Sequence, residues 1–472
     1  MTTDTANQAS PPKADAPHEV VVTCPATGEV VGSVPVATSV EVEAVAARLR
    51  AAQPAWQQLG VKGRARWLGK WRDWLLDHTD ELLTLLQLET GKSWGDANIE
   101  IVGVQNINYW IEKAGEFLAD ETVRPYGAAN AAKKLTISYE PYPLVGVITP
   151  WNGPLLVPLV DIAPALMAGC AVLSKPSEFT PLVWRMAVDG WKQIGAPDVL
   201  DAVHGFGQTG AALVDLVDYV MFTGSVNTGR RIAVAAAQRL IPCSLELGGK
   251  DAMIVCADAD LDRAADGAVW GAFAYTGQVC ISVERCYVEE SVYDEFVSKG
   301  ARVLVGGSSS DPTTEGLFYQ PTVLVDVDHG MKCMREETFG PTLPIMKVRD
   351  VAEAIEKAND SELGLSGSVW TRDKNKGMAL ARQMNTGTVN INNVIADGFP
   401  VPMEGWNDSG LGSRSGGADG IRKYCRTKSI VAERVAMKKE PLWYPYNRKK
   451  GKLLGAMVRM MSARDWRRRL GR

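Results

Sequence analysis

Two stretches decide the fold: residues 245–255, LELGGKDAMIV, and residues 273–280, FAYTGQVC. The first reads as a buried strand that meets a Gly248-Gly249 turn, with one carboxylate, Glu246, at the turn, and a further strand at Ile254-Val255. The second reads as the end of a helix, Leu261 to Tyr275, broken by Gly277 and followed by the thiol of Cys280. A carboxylate and a thiol on two such punctuated ends suit a base and a nucleophile brought together in space. Each also has an ordinary reading when taken alone. A buried cysteine packs as a small hydrophobe, and a glutamate before two glycines caps a turn.

Upstream, residues 143–149 (PLVGVIT) form the apolar β-rich run typical of a buried parallel strand, ending at Pro150-Trp151-Asn152. A helical stretch over Ala163–Gly169 leads to a second strand, Ala171–Ser174, which ends at Lys175. Strand, helix and strand at this spacing predict a right-handed βαβ unit in a parallel sheet. Ligands bind beyond the carboxyl ends of such strands, where Asn152, Lys175 and Glu178 lie. Two glycine-rich stretches compete as a phosphate cradle. Gly205 to Gly210 spells GxGxxG, but the acidic residue expected about twenty positions on is Arg230, so it reads as a turn before a helix. Gly224 to Gly229 follows the strand Asp218–Phe222 and opens a helix at Arg230, so its backbone N–H groups and the Ser225 hydroxyl suit a pyrophosphate better.

The rest of the chain alternates helices and strands. A β-hairpin is expected over Val20–Val36, then helices over Val40–Gln53, Gly63–Leu88 and Glu100–Ala119. Trp67, Trp71, Trp74 and Leu75 recur at helical spacing in the second helix and are assigned to the core. Lys134–Glu140 alternates like an exposed strand. Later strands are expected at Thr322–Val325, Gly367–Trp370 and Thr388–Ile391, a helix at Ala352–Ala358, and a long loop over Pro402–Gly417.

The Glu-Leu-Gly-Gly-Lys and Gly-Gln-x-Cys pieces, with PWNGP at 150–154, KPSE at 175–178, FTGSVNTG at 222–229 and EETFGP at 336–341, resemble the aldehyde dehydrogenase superfamily in content and order. The resemblance runs from about Cys24 to Val431. It implies an α/β fold with a parallel-sheet nucleotide-binding domain (18–122 and 142–245), an α/β catalytic domain (246–420) and a small β oligomerisation arm (123–141 and 421–436). It also implies a non-acylating enzyme that takes an aldehyde to a carboxylic acid. In that reading Cys280 is the nucleophile, the Asn152 amide and the Cys280 N–H hold the oxyanion, and Glu246 activates the water that hydrolyses the thioester. Lys175 and Glu178 would hold the adenosine ribose, Ser225 the pyrophosphate and Glu337 the nicotinamide ribose, with Phe339 packed beside it and Trp151, Ser177, Gly224 and Leu247 alongside. Glu178 would repel a 2′-phosphate, which favours NAD, with NADP as the alternative because Lys175 offsets it. An acylating form would have no use for Glu246. A homodimer or homotetramer is the expected assembly.

The chain departs from the family where Phe296-Val297-Ser298-Lys299 runs directly into Gly300–Gly307, without the roughly two helices that family members place there. Two helices fused into one are expected across this shortened junction. A catalytically silent, membrane-associated interaction protein is the competing reading of that loss. Near the reactive motifs Gly153, Val157, Val160, Val279 and Ile281 carry no charge, which favours an uncharged aliphatic or aromatic aldehyde over a carboxylated one.

Bulk properties narrow the class. With 472 residues, 46% hydrophobic and 22% charged, the chain has the composition of a globular protein of several cores. No apolar run is long enough for a bilayer span. Residues 1–17 are polar and read as a disordered leader. Eight cysteines without CxxC spacing fit a reducing cytoplasm, and four histidines without ligand spacing predict no metal. The net charge of −4 hides a tail, 437–472, with twelve Lys or Arg against two acids, so the remainder carries −14. There Leu453, Met457, Met460 and Met461 share a helical face, with Arg464, Arg467 and Arg468 close after and Trp443, Tyr444 and Tyr446 before. This predicts an interfacial helix on an anionic membrane surface, peripheral to its inner face; docking on a second subunit and a solvated basic end are the alternatives. Nucleic acid is disfavoured by the acidic body.

Overall fold

In the computed structural model, strand Leu144–Ile148 is buried at every position, as its unbroken apolar run requires. The structure describes residues 18–126, 130, 132–300, 316–396, 400–435, 438–439, 443–445 and 447–471, with the side chains of 299 and 300 excepted. The leader over 1–17 and the stretch 301–307, into which a fused helix is expected to continue, lie outside the described residues. The chain forms two compact units: Met1–Phe117 with Pro141–Cys425, and Leu118–Glu140 with Arg426–Arg472.

The first unit holds two six-stranded sheets. One runs in the order Gly410–Leu411, Cys243–Glu246, Tyr219–Thr223, Leu144–Ile148, Ala171–Lys175, Leu200–Ala202. Its neighbours are parallel except at the edge, where Leu411 faces Leu245 antiparallel. The chain winds outward from Leu144–Ile148 to one side, then resumes on the other side at Tyr219–Thr223. The order therefore reverses between these two strands, and that reversal opens a crevice beyond their carboxyl ends.

The second sheet is wholly parallel: Thr322–Leu324, Thr342–Val348, Arg285–Glu289, Ala252–Val255, Ser366–Trp370, Thr388–Ile391. Alternation along Ala252–Val255 splits its core. Met253 and Val255 pack with helix Leu261–Phe273 and with Tyr293 and Phe296 of helix Glu290–Gly300, while Ala252 and Ile254 pack with helix Val351–Asn359. Tyr293 and Phe296 are thus anchored in this core just before the junction at 297–300.

Several elements differ from expectation. The helix expected over Gly63–Leu88 is two, Gly60–Asp77 and Thr79–Thr90. They break at His78, whose backbone leaves helical angles (φ −107°, ψ 22°) and whose ring stacks on Trp74 at 4.0 Å. Trp71 and Leu75 are buried, but Trp67 and Trp74 are only half-buried, so they are not all core. The helix before Ala171 starts earlier, at Leu156, and tolerates Pro158 in its first turn, where no internal N–H bond is lost. The loop Pro402–Gly417 is built from two-residue strands. Pro402–Met403 pairs with Arg414–Ser415, Trp406–Asn407 with Leu363–Gly364, and Gly410–Leu411 with the Glu246 strand.

The second unit carries a three-stranded sheet in the order Cys425–Glu433, Lys133–Pro141, Glu121–Val123, and the helices Arg448–Ser462 and Trp466–Arg469. Among the described residues no helix is long and apolar enough to cross a membrane.

Candidate active site

Glu246 is the last residue of strand Cys243–Glu246, and the Gly248-Gly249 turn that follows carries the chain against the cysteine loop. A Cβ on Gly249 would lie 2.3 Å from the Cys280 carbonyl oxygen, so only glycine lets the two motifs touch. The cysteine loop has its own need for glycine. Helix Leu261–Phe273 ends in a tight turn, Ala274–Gly277, with Tyr275, Thr276 and Gly277 all in the left-handed region. A Cβ on Gly277 would meet Gly340 O at 2.2 Å. The turn aims Cys280 into a cavity of about 240 Å³.

Asn152 lies just beyond strand Leu144–Ile148 and lines the same cavity. Its Nδ2 donates to Gln278 O at 2.8 Å, which fixes the amide beside the cysteine loop. Gly153, Val157, Val160, Val279 and Ile281 all line the cavity, joined by Trp270, Tyr275 and Met403. Arg414 lines it too, although no cation was expected there. Its guanidinium is committed to Asp161 through Nε (3.0 Å) and Nη2 (2.6 Å) and also donates to Thr223 Oγ1, so the charge is neutralised within the wall.

Glu246 is 1% exposed, and neither carboxyl oxygen has a hydrogen-bond partner among the described residues. Burial pushes the carboxyl up to about 8, against the pull of Arg414 and Lys423. A carboxyl poised near neutrality with two open acceptor positions can bind a water and take its proton.

Along the crevice, Lys175 ends its strand almost fully buried. Its Nζ donates to Pro176 O at 2.9 Å and sits 3.6 Å from Glu178 Oε2; burial lowers its pKa, against the pull of Glu178. Ser177 Oγ accepts the Phe179 N–H at 3.3 Å. Ser225 is the N-cap of helix Val226–Gln238, two residues beyond strand Tyr219–Thr223, and its hydroxyl accepts the Thr228 N–H at 3.4 Å. That hydroxyl is thus partly engaged in capping, and the open groups at this end are backbone N–H donors. A Cβ on Gly224 would lie 2.6 Å from the Phe222 ring. Leu247 is buried, its N–H on Ser409 O. The Trp151 and Phe339 rings meet edge to face at 5.7 Å. Glu337 accepts the Gly249 N–H at 2.9 Å, which brings the third motif to the same turn; burial raises its pKa, against that bond.

Sequence reasoning missed several partners. Glu284 accepts from Lys250 Nζ (2.6 Å) and from the N–H groups of Thr338 and Phe339, holding the Glu337 loop. The Asp161–Arg414 pair and a Lys92–Glu100 pair were also unforeseen. Asp161 and Arg414 are 253 positions apart and Lys250 and Glu284 are 34 apart, so neither pair carries a local signal; Lys92 and Glu100 are eight apart, but the short helix Trp94–Ile99 lies between them and sets their meeting.

A thiol at an apolar cavity, a buried carboxyl just before the turn that meets the cysteine loop, and a nucleotide-type crevice make up a candidate active site in an α/β protein. The comparisons make this specific. The chain matches the aldehyde dehydrogenase family over residues 13–299 and 297–430, and it belongs to that family. It is 39% identical over 464 residues to a Mycolicibacterium smegmatis protein named "Putative succinate-semialdehyde dehydrogenase [NADP(+)]", covering 88% of this chain and 89% of that one. It is 38% identical over 469 residues to 4,4'-diapolycopene aldehyde oxidase of Methylomonas sp, covering 91% and 88%. The crystal structure of Mycobacterium tuberculosis aldehyde dehydrogenase complexed with NAD+ matches with TM-score 0.84 at 32% identity, covering 91% of this chain and 97% of that one. The two family matches overlap at 297–299, at the junction where a shortening is expected. The 464 positions aligned with the Mycolicibacterium protein cover only 88% of 472 residues, so that relative has positions this chain lacks.

Proposed function

We propose that this protein oxidises an uncharged, apolar aldehyde to a carboxylic acid, with NAD or NADP as hydride acceptor. The observation that carries the reading is the cavity at Cys280, walled by aliphatic and aromatic side chains, with the one lining cation among the described residues, Arg414, already paired to Asp161. A carboxylated aldehyde would have to bury its anion there, which costs several kcal/mol. The relative named for diapolycopene aldehyde agrees with this reading; the one named for succinate semialdehyde does not, and the wall chemistry favours the former.

The Cys280 thiolate adds to the aldehyde carbon, and the Asn152 amide and the Cys280 N–H receive the developing oxyanion. A bound nicotinamide dinucleotide supplies the two-electron sink that accepts the former aldehyde hydrogen as hydride. The crevice suits such a group: backbone donors at Val226–Gln238, the Lys175–Glu178 pair, and the Glu337 carboxylate beside the cysteine loop. The thioester left on Cys280 is opened by water deprotonated by Glu246, which releases the acid, restores the thiolate and leaves one proton on Glu246. A homodimer or homotetramer is the proposed assembly. The test compares kcat/KM for octanal and succinic semialdehyde, with Cys280→Ala alongside. Turnover that needs Cys280 and favours octanal by about 100-fold or more is expected; preference for the semialdehyde overturns the apolar assignment.

A second proposal concerns the other unit: the helix Arg448–Ser462 lies on an anionic membrane surface. It has no buried residue. Leu453, Leu454, Val458, Met460 and Met461 stand exposed on one arc, opposite Arg448, Lys452 and Arg459, and Trp466 follows, also exposed. The full chain should co-sediment with phosphatidylglycerol vesicles and not with phosphatidylcholine alone, and L453E/M460E should abolish pelleting. Unchanged pelleting of that variant, or loss of self-association in place of lipid binding, refutes it.

A further inference from the structure

A buried ion pair sits between the loop that carries Asn152 and the loop that carries Cys280, and no step above uses it. Lys92 follows Gly91, which closes helix Thr79–Thr90 in the left-handed conformation. The Lys92 and Glu100 side chains are 8% and 0% exposed and form an ion pair. Lys92 Nζ also donates to the Asn152 carbonyl at 2.6 Å and sits 3.5 Å from the centre of the Tyr275 ring. Glu100 turns its second oxygen to the N–H groups of Leu155 and Leu156, each at 2.9 Å, at the start of helix Leu156–Ala168. Tyr275 in turn belongs to the left-handed turn that delivers Cys280, and its own N–H is held by Asp96 Oδ1 at 3.2 Å.

One ammonium therefore touches both halves of the reacting site. It grips the backbone of Asn152, the face of Tyr275 and the carboxylate that caps the cavity helix. A buried ion pair of this kind contributes little net stability against an apolar replacement of similar volume. Its directional bonds do constrain geometry, and a displacement of about 1 Å in a reacting group costs on the order of 100-fold in rate.

We propose that Lys92, with Glu100, is a positioning residue that holds the Asn152 amide in register with Cys280, so that the oxyanion donor is in place before the aldehyde binds. The proposal rests on the assignment of Asn152 as oxyanion donor under the proposed function. Glu100 orients Lys92 and pins the next turn of chain, so Asn152 is held from both sides.

The test is a double-mutant cycle on the pre-steady-state burst of NADH with octanal, using Lys92→Met, Asn152→Ala and the double variant. Lys92→Met should slow the burst by about 30- to 100-fold, with NAD affinity, read from fluorescence quenching, changed less than threefold. In the Asn152→Ala background the same substitution should cost less than about threefold, because its effect passes through Asn152. Equal losses in both backgrounds would make Lys92 a structural residue and overturn the proposal. A burst unaffected by Asn152→Ala would instead overturn the oxyanion assignment itself. Lys92→Gln keeps a donor for the Asn152 carbonyl without the charge and is read in the same cycle if Lys92→Met does not fold.

Discussion

Asp161→Asn is the substitution whose consequences the structure defines most fully. Asp161 is 1% exposed and accepts two bonds from Arg414, a residue of the cavity wall. The amide keeps the shape of the carboxylate but leaves the guanidinium buried without a counter-charge. Breaking one side of a buried pair costs about 3–5 kcal/mol, so the midpoint in urea should fall clearly while the slope stays constant. The same change gives the cavity a net positive charge. At about 6 Å and an effective dielectric constant near 20, an anionic substrate group would gain roughly 2.8 kcal/mol, close to 100-fold. The assay is the ratio of kcat/KM for octanal over succinic semialdehyde, measured on folded wild type and variant at equal ionic strength. A shift of ten- to hundredfold toward the semialdehyde, with chloride partly restoring stability, is expected. An unchanged ratio in a folded variant would refute the view that Asp161 keeps the cavity electrically neutral.

Further outcomes follow from two buried carboxylates, Glu246 and Glu284. Glu246→Gln should give one equivalent of NADH per site and then stall, with turnover reduced about 10²–10⁴-fold. Because burial raises the Glu246 pKa to about 8, deacylation by the wild type should accelerate as pH rises toward and through 8. The stability linkage has the opposite sign. A folded pKa above the unfolded value makes this carboxyl's contribution complete below about 4.5 and lost as pH rises through about 8, so Glu246→Gln should flatten stability over that window. Glu284→Gln weakens the hold on Thr338 and Phe339 that fixes the Glu337 loop, so the KM for NAD should rise about tenfold with little change in the acylation rate.

Much of this site is legible in the sequence because its parts are local. Leu144–Ile148 announces itself as a continuous apolar run, and the Thr388–Ile391 strand falls where its composition places it. The glycines at 249 and 277 are readable as punctuation, and the structure gives their reason: each faces a backbone carbonyl at a distance no Cβ permits. What was illegible is pairing at long range. Asp161 and Arg414 are 253 positions apart, and either one alone looks like an ordinary solvated charge. Lys92 reads as the residue after a helix-ending glycine, with nothing local to reveal the Asn152 carbonyl 60 positions on. The loop Pro402–Gly417 hid its strands because two residues per strand leave no periodicity to detect. The long helix was overextended past His78 because apolar spacing continues across a break made by one backbone angle and a stacked ring.

The most direct measurement is the intact mass of Glu246→Gln after mixing with octanal and NAD, with the NADH formed in the same sample. One NADH per site is expected, with an octanoyl adduct that maps to Cys280 and disappears in Cys280→Ala. NADH formed without an adduct on Cys280, or no NADH from folded wild type with either nucleotide and any uncharged aldehyde, would contradict this expectation.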